Sequence, residues 1–138
     1  MGNFSRTFAK YRLLARLGHG GMADVYLSVS SGPGGFNKLQ VLKVLRPHLT
    51  EQPEFLQMFQ DEGRLAARLN HPNIVQTNEV GAEGARFFIA MEYLDGQPLH
   101  RVKARAGQSA AGFPLEMELF VLCQVLEGLE SRTTTVHL

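Results

Sequence analysis

A glycine-rich segment between two alternating apolar segments is the feature that most restricts the fold of this 138-residue chain. Residues 11–17 (Tyr-Arg-Leu-Leu-Ala-Arg-Leu) place apolar side chains on one face, which is typical of a strand. Residues 25–30 have the composition of a second strand. Residues 18–21 (Gly-His-Gly-Gly) lie between them and are a strong turn signal. The sequence therefore predicts a β-hairpin with a glycine-rich tip.

The rest of the chain predicts strands that are followed by helices. The first long helix begins near Pro53, which suits a first helical turn, and ends near Leu69, because Pro72 disfavours helix in the residue before it. The order of elements, with mainly antiparallel strands, predicts an α+β fold with five strands. The remaining expected elements are strands at 39–45, 75–80 and 87–93 and helices at 99–105 and 114–130.

Composition argues against several classes of function. The chain has 14 basic and 13 acidic side chains, and this near balance argues against nucleic-acid binding through a basic surface. Its one cysteine, Cys123, excludes an internal disulfide and a multi-cysteine zinc site. No apolar run approaches the roughly 18 residues of a membrane span, and residues 1–10 lack a signal-peptide core. We therefore expect a cytoplasmic protein that binds neither nucleic acid nor membrane.

Two charged residues, Lys43 and Glu62, lie on otherwise apolar faces of the predicted elements. Because an unpaired buried charge is costly, the two are candidates to pair with each other. On spacing alone, a lysine that extends to solvent and a glutamate at the rim of the helix remain open as alternatives. The apolar positions on these faces are Leu39, Val41 and Leu45 on the strand, and Phe55, Met58, Phe59, Leu65, Ala66 and Leu69 on the helix.

The order of these features resembles one enzyme family. A glycine loop, a strand lysine 18 residues after Val25 and a helical glutamate 19 residues after that lysine resemble the N-terminal lobe of a protein kinase. Residues 69–75 (Leu-Asn-His-Pro-Asn-Ile-Val) and 88–96 (Phe-Ile-Ala-Met-Glu-Tyr-Leu-Asp-Gly) extend the resemblance. The sequence is most similar to bacterial serine/threonine kinases of the eukaryotic type. The resemblance implies a five-stranded N-lobe sheet with one regulatory helix, followed by two C-lobe helices.

The resemblance also implies that the chain binds ATP. Lys43 would hold the α- and β-phosphates, and Glu62 would be its partner on the helix. Gly18, Gly20 and Gly21 would form the phosphate loop, in which Ala23 replaces the family's third glycine. The adenine pocket would consist of Leu17, Val25 and Val41 around the base, Met91 as the gatekeeper, and the hinge backbone of Glu92 and Leu94.

The sequence contains no His-Arg-Asp motif and no Asp-Phe-Gly motif. In the family these motifs supply the base for the acceptor hydroxyl and the ligands for Mg²⁺. We therefore expect weak ATP binding without support for Mg²⁺, no catalytic residue, and a truncated or frame-shifted kinase domain. A short nucleotide- or partner-binding regulatory module and a poorly folding remnant are the alternatives. The expected segments are an extension at 1–10, the N-lobe at 11–94, the start of the C-lobe at 95–130 and a divergent tail at 131–138.

The final predicted helix carries a continuous stripe of leucines at alternating spacings of four and three residues. A stripe of this size needs cover, so we expect self-association through the helix at 114–130. The alternative is that the stripe packs on the short helix near Val102. The stripe consists of Leu115, Leu119, Leu122, Leu126 and Leu129.

Overall fold

The computed structural model describes residues 6–109 and 112–136. The described residues form two units, of which the first contains six strands and two helices and the second contains residues 71–74 and two helices. The elements of the first unit are β1 (Arg6–Phe8), β2 (Tyr11–His19), β3 (Ala23–Ser31), β4 (Asn37–Leu45), α1 (Pro47–Thr50), α2 (Pro53–Arg68), β5 (Thr77–Glu83) and β6 (Arg86–Glu92). Those of the second are α3 (Leu99–Ala106) and α4 (Leu115–Val136).

The first unit is an antiparallel sheet with the strand order β1-β2-β3-β4-β6-β5. The five predicted strands and the long helix are present, so the α+β fold is confirmed. The predicted number of strands is one too low, because β1 lies within the segment expected to be an extension. With three residues, β1 is too short for a periodic pattern, and its pairing with β2 and the burial of Phe8 hold it in place.

The two faces of the sheet carry separate apolar clusters. Phe59 of α2 belongs to the second of them, which is how the long helix is attached to the sheet. Because side chains alternate along a strand, β4 contributes to both clusters. The first cluster contains Phe8, Tyr11, Leu13, Leu42, Val44, Phe88 and Ala90, and the second contains Ala23, Leu45, Leu49, Phe59 and Ile89.

The faces that carry Lys43 and Glu62 are less buried than predicted. On β4, Leu42 and Val44 on the opposite face are buried, whereas Leu39 is exposed and Lys43 is half-buried. On α2, Phe59 and Gly63 are buried, but Met58 and Leu65 of the predicted stripe are exposed. The expectation that the helix stripe is buried along its length was therefore wrong, because α2 packs on the sheet through Phe59 and Gly63.

The second unit joins a short turn segment to α4. Asn73 donates from its side-chain amide to the backbone oxygen of Gln124, at 2.9 Å. Gly128 lets this segment approach closely, since a Cβ there would lie 3.4 Å from Ile74 Cγ1. Both predicted helices are present, and α4 continues to Val136, beyond the end expected near Glu130. Residues 137–138 of the predicted tail lie outside the described residues. Within the described ranges, no helix has the length and hydrophobicity needed to cross a membrane.

We predict that Gly81→Ala destabilises the first unit. Gly81 is opposite Phe88 in the β5–β6 pair, and an added Cβ would lie 2.8 Å from Phe88 Cζ. Phe88 is buried and makes edge-to-face contacts with Phe8 and Tyr11, so its ring has little room to move. The expected loss is about 1–3 kcal/mol in urea unfolding. Gly96→Ala is the matched control, because a Cβ at Gly96 meets nothing within 4 Å. Equal effects of the two substitutions would contradict the packing described.

A buried tyrosine and a glutamate make stability depend on pH. The hydroxyl of Tyr11 donates to Glu79 Oε2, and Lys10 lies 2.6 Å from the same oxygen. Burial alone would raise the pKa of Glu79, but the hydrogen bonds from Lys10 and Tyr11 outweigh it and lower that pKa. Burial, followed by the bond to Glu79, raises the pKa of Tyr11. The Tyr11–Glu79 hydrogen bond is therefore most favourable at pH values between the ordinary pKa of glutamate, about 4.3, and the ordinary pKa of tyrosine, about 10.

We predict that Glu79→Gln removes part of the acid sensitivity of the chain. A lowered folded-state pKa contributes stability above the unfolded-state value, and this stability is lost as the pH falls through the folded-state value. The difference in unfolding free energy between wild type and variant should therefore shrink from about pH 7 to about pH 3. Urea titrations at both pH values measure it. A difference that is constant or grows toward low pH would contradict the assignment.

Candidate functional site

Lys43 and Glu62 form an ion pair between the sheet and the long helix. Lys43 Nζ on β4 lies 2.5 Å from Glu62 Oε1 on α2. The same Nζ lies 5.8 Å from the ring centroid of Phe59, which precedes Glu62 by one helical turn. The side chains are 23% and 48% exposed. The predicted pairing is confirmed, and it lies at the edge of the core, where both charges still reach water.

Strand register places four of the other predicted site residues either in the row of the sheet that contains Lys43 or in the neighbouring row on the same face. Gly18 is paired with Val25 across β2 and β3, and Val25 is paired with Lys43 across β3 and β4. Two residues along β4, Val41 is paired with Met91 of β6. Because Val41 and Lys43 are two residues apart, they share a face of the sheet. The glycine hairpin, the lysine and the predicted gatekeeper thus lie in two adjacent rows of one sheet.

At the tip of the hairpin, Gly20 packs against the backbone of Ala23, whereas the space beside Gly21 is empty. Gly20 donates its N–H to the carbonyl of Ala23 at 3.0 Å, and a Cβ on Gly20 would lie 3.5 Å from that same oxygen. A Cβ on Gly21 would meet nothing within 4 Å. Ala23, at the family's third-glycine position, is buried in the cluster with Leu45. Its methyl group packs into the core, which explains how alanine is accommodated there.

The predicted hinge residues differ in what their groups can offer. The N–H of Glu92 donates to the carbonyl of Gln76 at 2.9 Å, and its carboxylate accepts from the N–H of Gln76 at 2.8 Å. Adenine recognition by Glu92 would therefore have to use its carbonyl. Leu94 belongs to the second unit and is exposed. Leu17 is also exposed, and it lies where a bulge between Arg16 and Gly18 shifts the register of β2.

Sequence reasoning missed Gly63, the residue that sets the distance between α2 and the sheet. A Cβ there would lie 3.1 Å from Val80 Cγ1 and 3.2 Å from Ile89 Cδ1. The helix can therefore approach β5 and β6 closely at the residue that follows Glu62. The signal was available, because a glycine within an amphipathic helix costs stability and usually marks close packing. Arg46, which contacts the glycine hairpin, was missed as well.

The donor groups of the first unit suit a nucleotide better than a metal ion. Lys43 supplies a positive charge, the open side of Gly21 gives access to the backbone, and Val25 and Val41 supply apolar surface. These are the groups that phosphates and a flat aromatic base require. For the metal, no three His, Cys, Asp or Glu side chains among the described residues are grouped so that they could hold an ion.

The first unit is a curled antiparallel sheet with one long helix, and a lysine–glutamate pair beside a glycine hairpin joins the two. These features define a kinase-type N-lobe. The family model for the protein kinase domain matches residues 11–132 of this chain. The chain therefore belongs to the protein kinase domain family.

Its relatives are bacterial kinases. The chain is 42% identical over 122 residues to the tyrosine-protein kinase MasK of Myxococcus xanthus, covering 88% of this chain and 19% of MasK. It is 41% identical over 124 residues to the serine/threonine-protein kinase PknI of Mycobacterium bovis, covering 90% of this chain and 20% of PknI. The crystal structure of the Mycobacterium tuberculosis PknI kinase domain matches with 33% identity and a TM-score of 0.71.

The match covers 94% of this chain and 50% of the PknI kinase-domain chain. The chain thus spans about one fifth of the curated relatives named above and half of a solved kinase domain. Serine/threonine-protein kinases from both genera are among the relatives, which confirms the predicted bacterial serine/threonine kinase resemblance.

We predict that the Lys43–Glu62 pair contributes little to stability. Both charges are partly solvated, and exposed pairs typically couple by about 0.2–1 kcal/mol. A double-mutant cycle with Lys43→Met, Glu62→Gln and the double variant should give a coupling energy in that range from urea unfolding. The pair would then be retained for something other than stability. A coupling energy of several kcal/mol would instead identify it as a structural element of the fold.

Proposed function

We propose that the first unit binds an adenine nucleotide as a kinase N-lobe does, with Lys43 and the glycine hairpin on the phosphates. The observation that carries the proposal is the ion pair of Lys43 with Glu62 in the row of residues that begins at Gly18. Glu62 keeps the ammonium group of Lys43 directed along the sheet face, where it can contact the α- and β-phosphates. Gly18, Gly20 and Gly21 let the backbone approach the phosphates without obstruction by side chains.

The base would lie on the apolar part of the same sheet face. Val25 and Val41 would contact one side of the ring, Leu17 would cover its edge, and Met91 would limit the depth of the pocket. The carbonyl of Glu92 and the backbone of Leu94 would hydrogen-bond the adenine edge. Contact with one side of the ring gains only part of the roughly 25 cal/mol per Å² available from full burial. The proposed binding is accordingly weak.

We further propose that the 138-residue chain does not transfer phosphate by itself. The motifs that supply the catalytic base and the metal ligands in this family do not occur in its sequence. Among the described residues, no three His, Cys, Asp or Glu side chains are grouped so that they could hold a metal ion. The chain then acts as a nucleotide-binding or partner-binding kinase lobe, and its expected location in the cytoplasm stays a prediction.

A thermal-shift titration tests the nucleotide site. ATP should raise the melting temperature of wild type in a concentration-dependent way, because a ligand that binds the folded state stabilises it. Lys43→Ala should weaken the binding by about tenfold, as expected for the loss of one charge-assisted contact. Lys103→Ala, which removes an equal charge from the second unit, is the matched control. An equal response of both variants would rule out the assigned role of Lys43.

The same titration with Mg²⁺ tests the absence of metal ligands. We expect the apparent ATP affinity to change by less than about threefold when Mg²⁺ is added, since the residues present offer no ligand set. Radiolabelled ATP with a general protein substrate should give no transfer. A rise of about tenfold or more in affinity, or transfer that Lys43→Ala abolishes, would contradict the proposal.

The leucine stripe of α4 favours a second property, self-association of this chain. All five leucines are more than half exposed, and α3 leaves them uncovered although Lys103 and Glu118 join the two helices at 2.5 Å. This exposure favours association between copies over the alternative that the stripe packs on the short helix near Val102. Val102 itself is exposed. Each leucine that becomes fully buried contributes about 1.5–3 kcal/mol, which favours association between copies.

We predict that sedimentation at micromolar concentration detects dimers or larger species. The double variant Leu122→Glu, Leu126→Glu places two charges in the centre of the stripe and should shift the population to monomer. Met58→Glu, which changes an equally exposed apolar residue on α2, should leave the association unchanged. A wild-type monomer that the double substitution does not alter would refute association through this face.

A further inference from the structure

Arg46, the residue that follows β4, is attached to the glycine hairpin at three points. Its guanidinium Nη2 donates to the carbonyl of Gly20. Its backbone N–H donates to the carbonyl of Met22 at 3.0 Å. Its Nε lies 3.7 Å from Asp24 Oδ1. The side chain is only 18% exposed, so these contacts are made mostly out of water, where they are stronger.

Asp24 connects Arg46 to the other strand of the hairpin. Asp24 Oδ1, the oxygen that faces Arg46, also lies 2.6 Å from Nδ1 of His19. His19 is the register partner of Asp24 across β2 and β3. Arg46 contacts β3 and the tip of the hairpin, and Asp24 contacts His19 on β2. Together these three side chains connect both strands and the turn. The carboxylate also offsets the charge of the guanidinium, so Arg46 adds little net positive charge to the loop.

The contact with Gly20 fixes the direction of one peptide group. The peptide that joins Gly20 and Gly21 is trans, and in a planar trans peptide the C=O and N–H bonds point in opposite directions. Because Arg46 holds the carbonyl, the N–H of Gly21 points away from Arg46. The space around the Cα of Gly21 is open, and both residues lack a side chain that would limit rotation of this peptide. Without Arg46, nothing described on the hairpin would select this orientation.

We infer that Arg46 is a positioning residue that orients the Gly21 N–H toward a nucleotide phosphate. The inference rests on the nucleotide site proposed above and extends it to a residue outside the glycine loop. Arg46 acts through the loop rather than as a phosphate ligand, because its Nη2 donates to the carbonyl of Gly20 and its side chain is largely buried. The phosphate-dependent part of nucleotide affinity then depends on Arg46, while the adenosine part does not.

Three variants test this role in the full chain. Arg46→Met keeps most of the length of the side chain and removes the guanidinium, and Arg46→Lys keeps a donor for Gly20 but not the second contact. Arg64→Met is the control, because Arg64 is an exposed arginine of α2 that forms an ion pair with Asp61 of the same helix. Circular dichroism and urea unfolding first establish that each variant is folded. Arg46→Lys keeps the test decisive if Arg46→Met does not fold.

The first measurement is hydrogen exchange of residues 18–24 without nucleotide. Arg46→Met should exchange these amides at least about threefold faster than wild type, since the loop opens locally when its attachment is lost. The control should not change the rates. Unchanged exchange in Arg46→Met would overturn the inference whether or not the chain binds ATP.

The second measurement is the ratio of ATP to adenosine affinity by calorimetry. Arg46→Met should lose about five- to tenfold in ATP affinity and keep adenosine affinity within about twofold, and Arg46→Lys should fall between it and wild type. Equal losses for both ligands would mean that Arg46 is merely structural and would overturn the inference. If wild type binds ATP no better than adenosine, the proposed phosphate site itself fails, and that result is visible before any variant is compared.

Discussion

The close packing of α2 on the sheet is the constraint on which the rest of the first unit depends. Phe59 is buried among residues of β4, β6 and α1, and Gly63 lets the helix approach β5 and β6 at about van der Waals distance. Glu62 lies between these two residues in sequence, so its carboxylate reaches Lys43 without a rearrangement of the backbone. A side chain at position 63 would crowd Val80 and Ile89. The Lys43–Glu62 ion pair therefore depends on the packing of α2 against the sheet.

The sheet supplies the second half of the arrangement. Its register places Gly18, Val25 and Lys43 in a row, so the glycine hairpin and the lysine are held at a fixed spacing by backbone hydrogen bonds. The opposite face of the sheet is packed, with Leu42 and Val44 fully buried, whereas Leu39 and Val41 remain accessible. A sheet with one filled face and one face that α2 covers only in part would be a rigid support for the proposed nucleotide. This division of roles explains why the face of Lys43 is less buried than its apolar sequence suggests.

Much of this arrangement could be predicted from the sequence. The glycine-rich turn, the strand periods and the proline at the start of α2 are local signals, and they predicted the five strands and the long helix. On spacing alone the Lys43–Glu62 pairing was one of several open possibilities, and the resemblance to protein kinases favoured it. β1 and α1 could not be predicted in this way. β1 has three residues and α1 has four, and their stability comes from tertiary contacts of Phe8 and Leu49. The role of Arg46 depends on the folded hairpin, since nothing in its own segment links it to Gly20.

We propose that the first unit binds a nucleotide whose phosphate groups contact the Lys43 side of the glycine hairpin. Backbone amide chemical-shift mapping with ATP and with adenosine tests this most directly. The account predicts that the difference between the two ligands is concentrated at Gly18, Gly20, Gly21 and Lys43, with α4 unaffected. Differences spread evenly over the chain, or centred on the second unit, would contradict it.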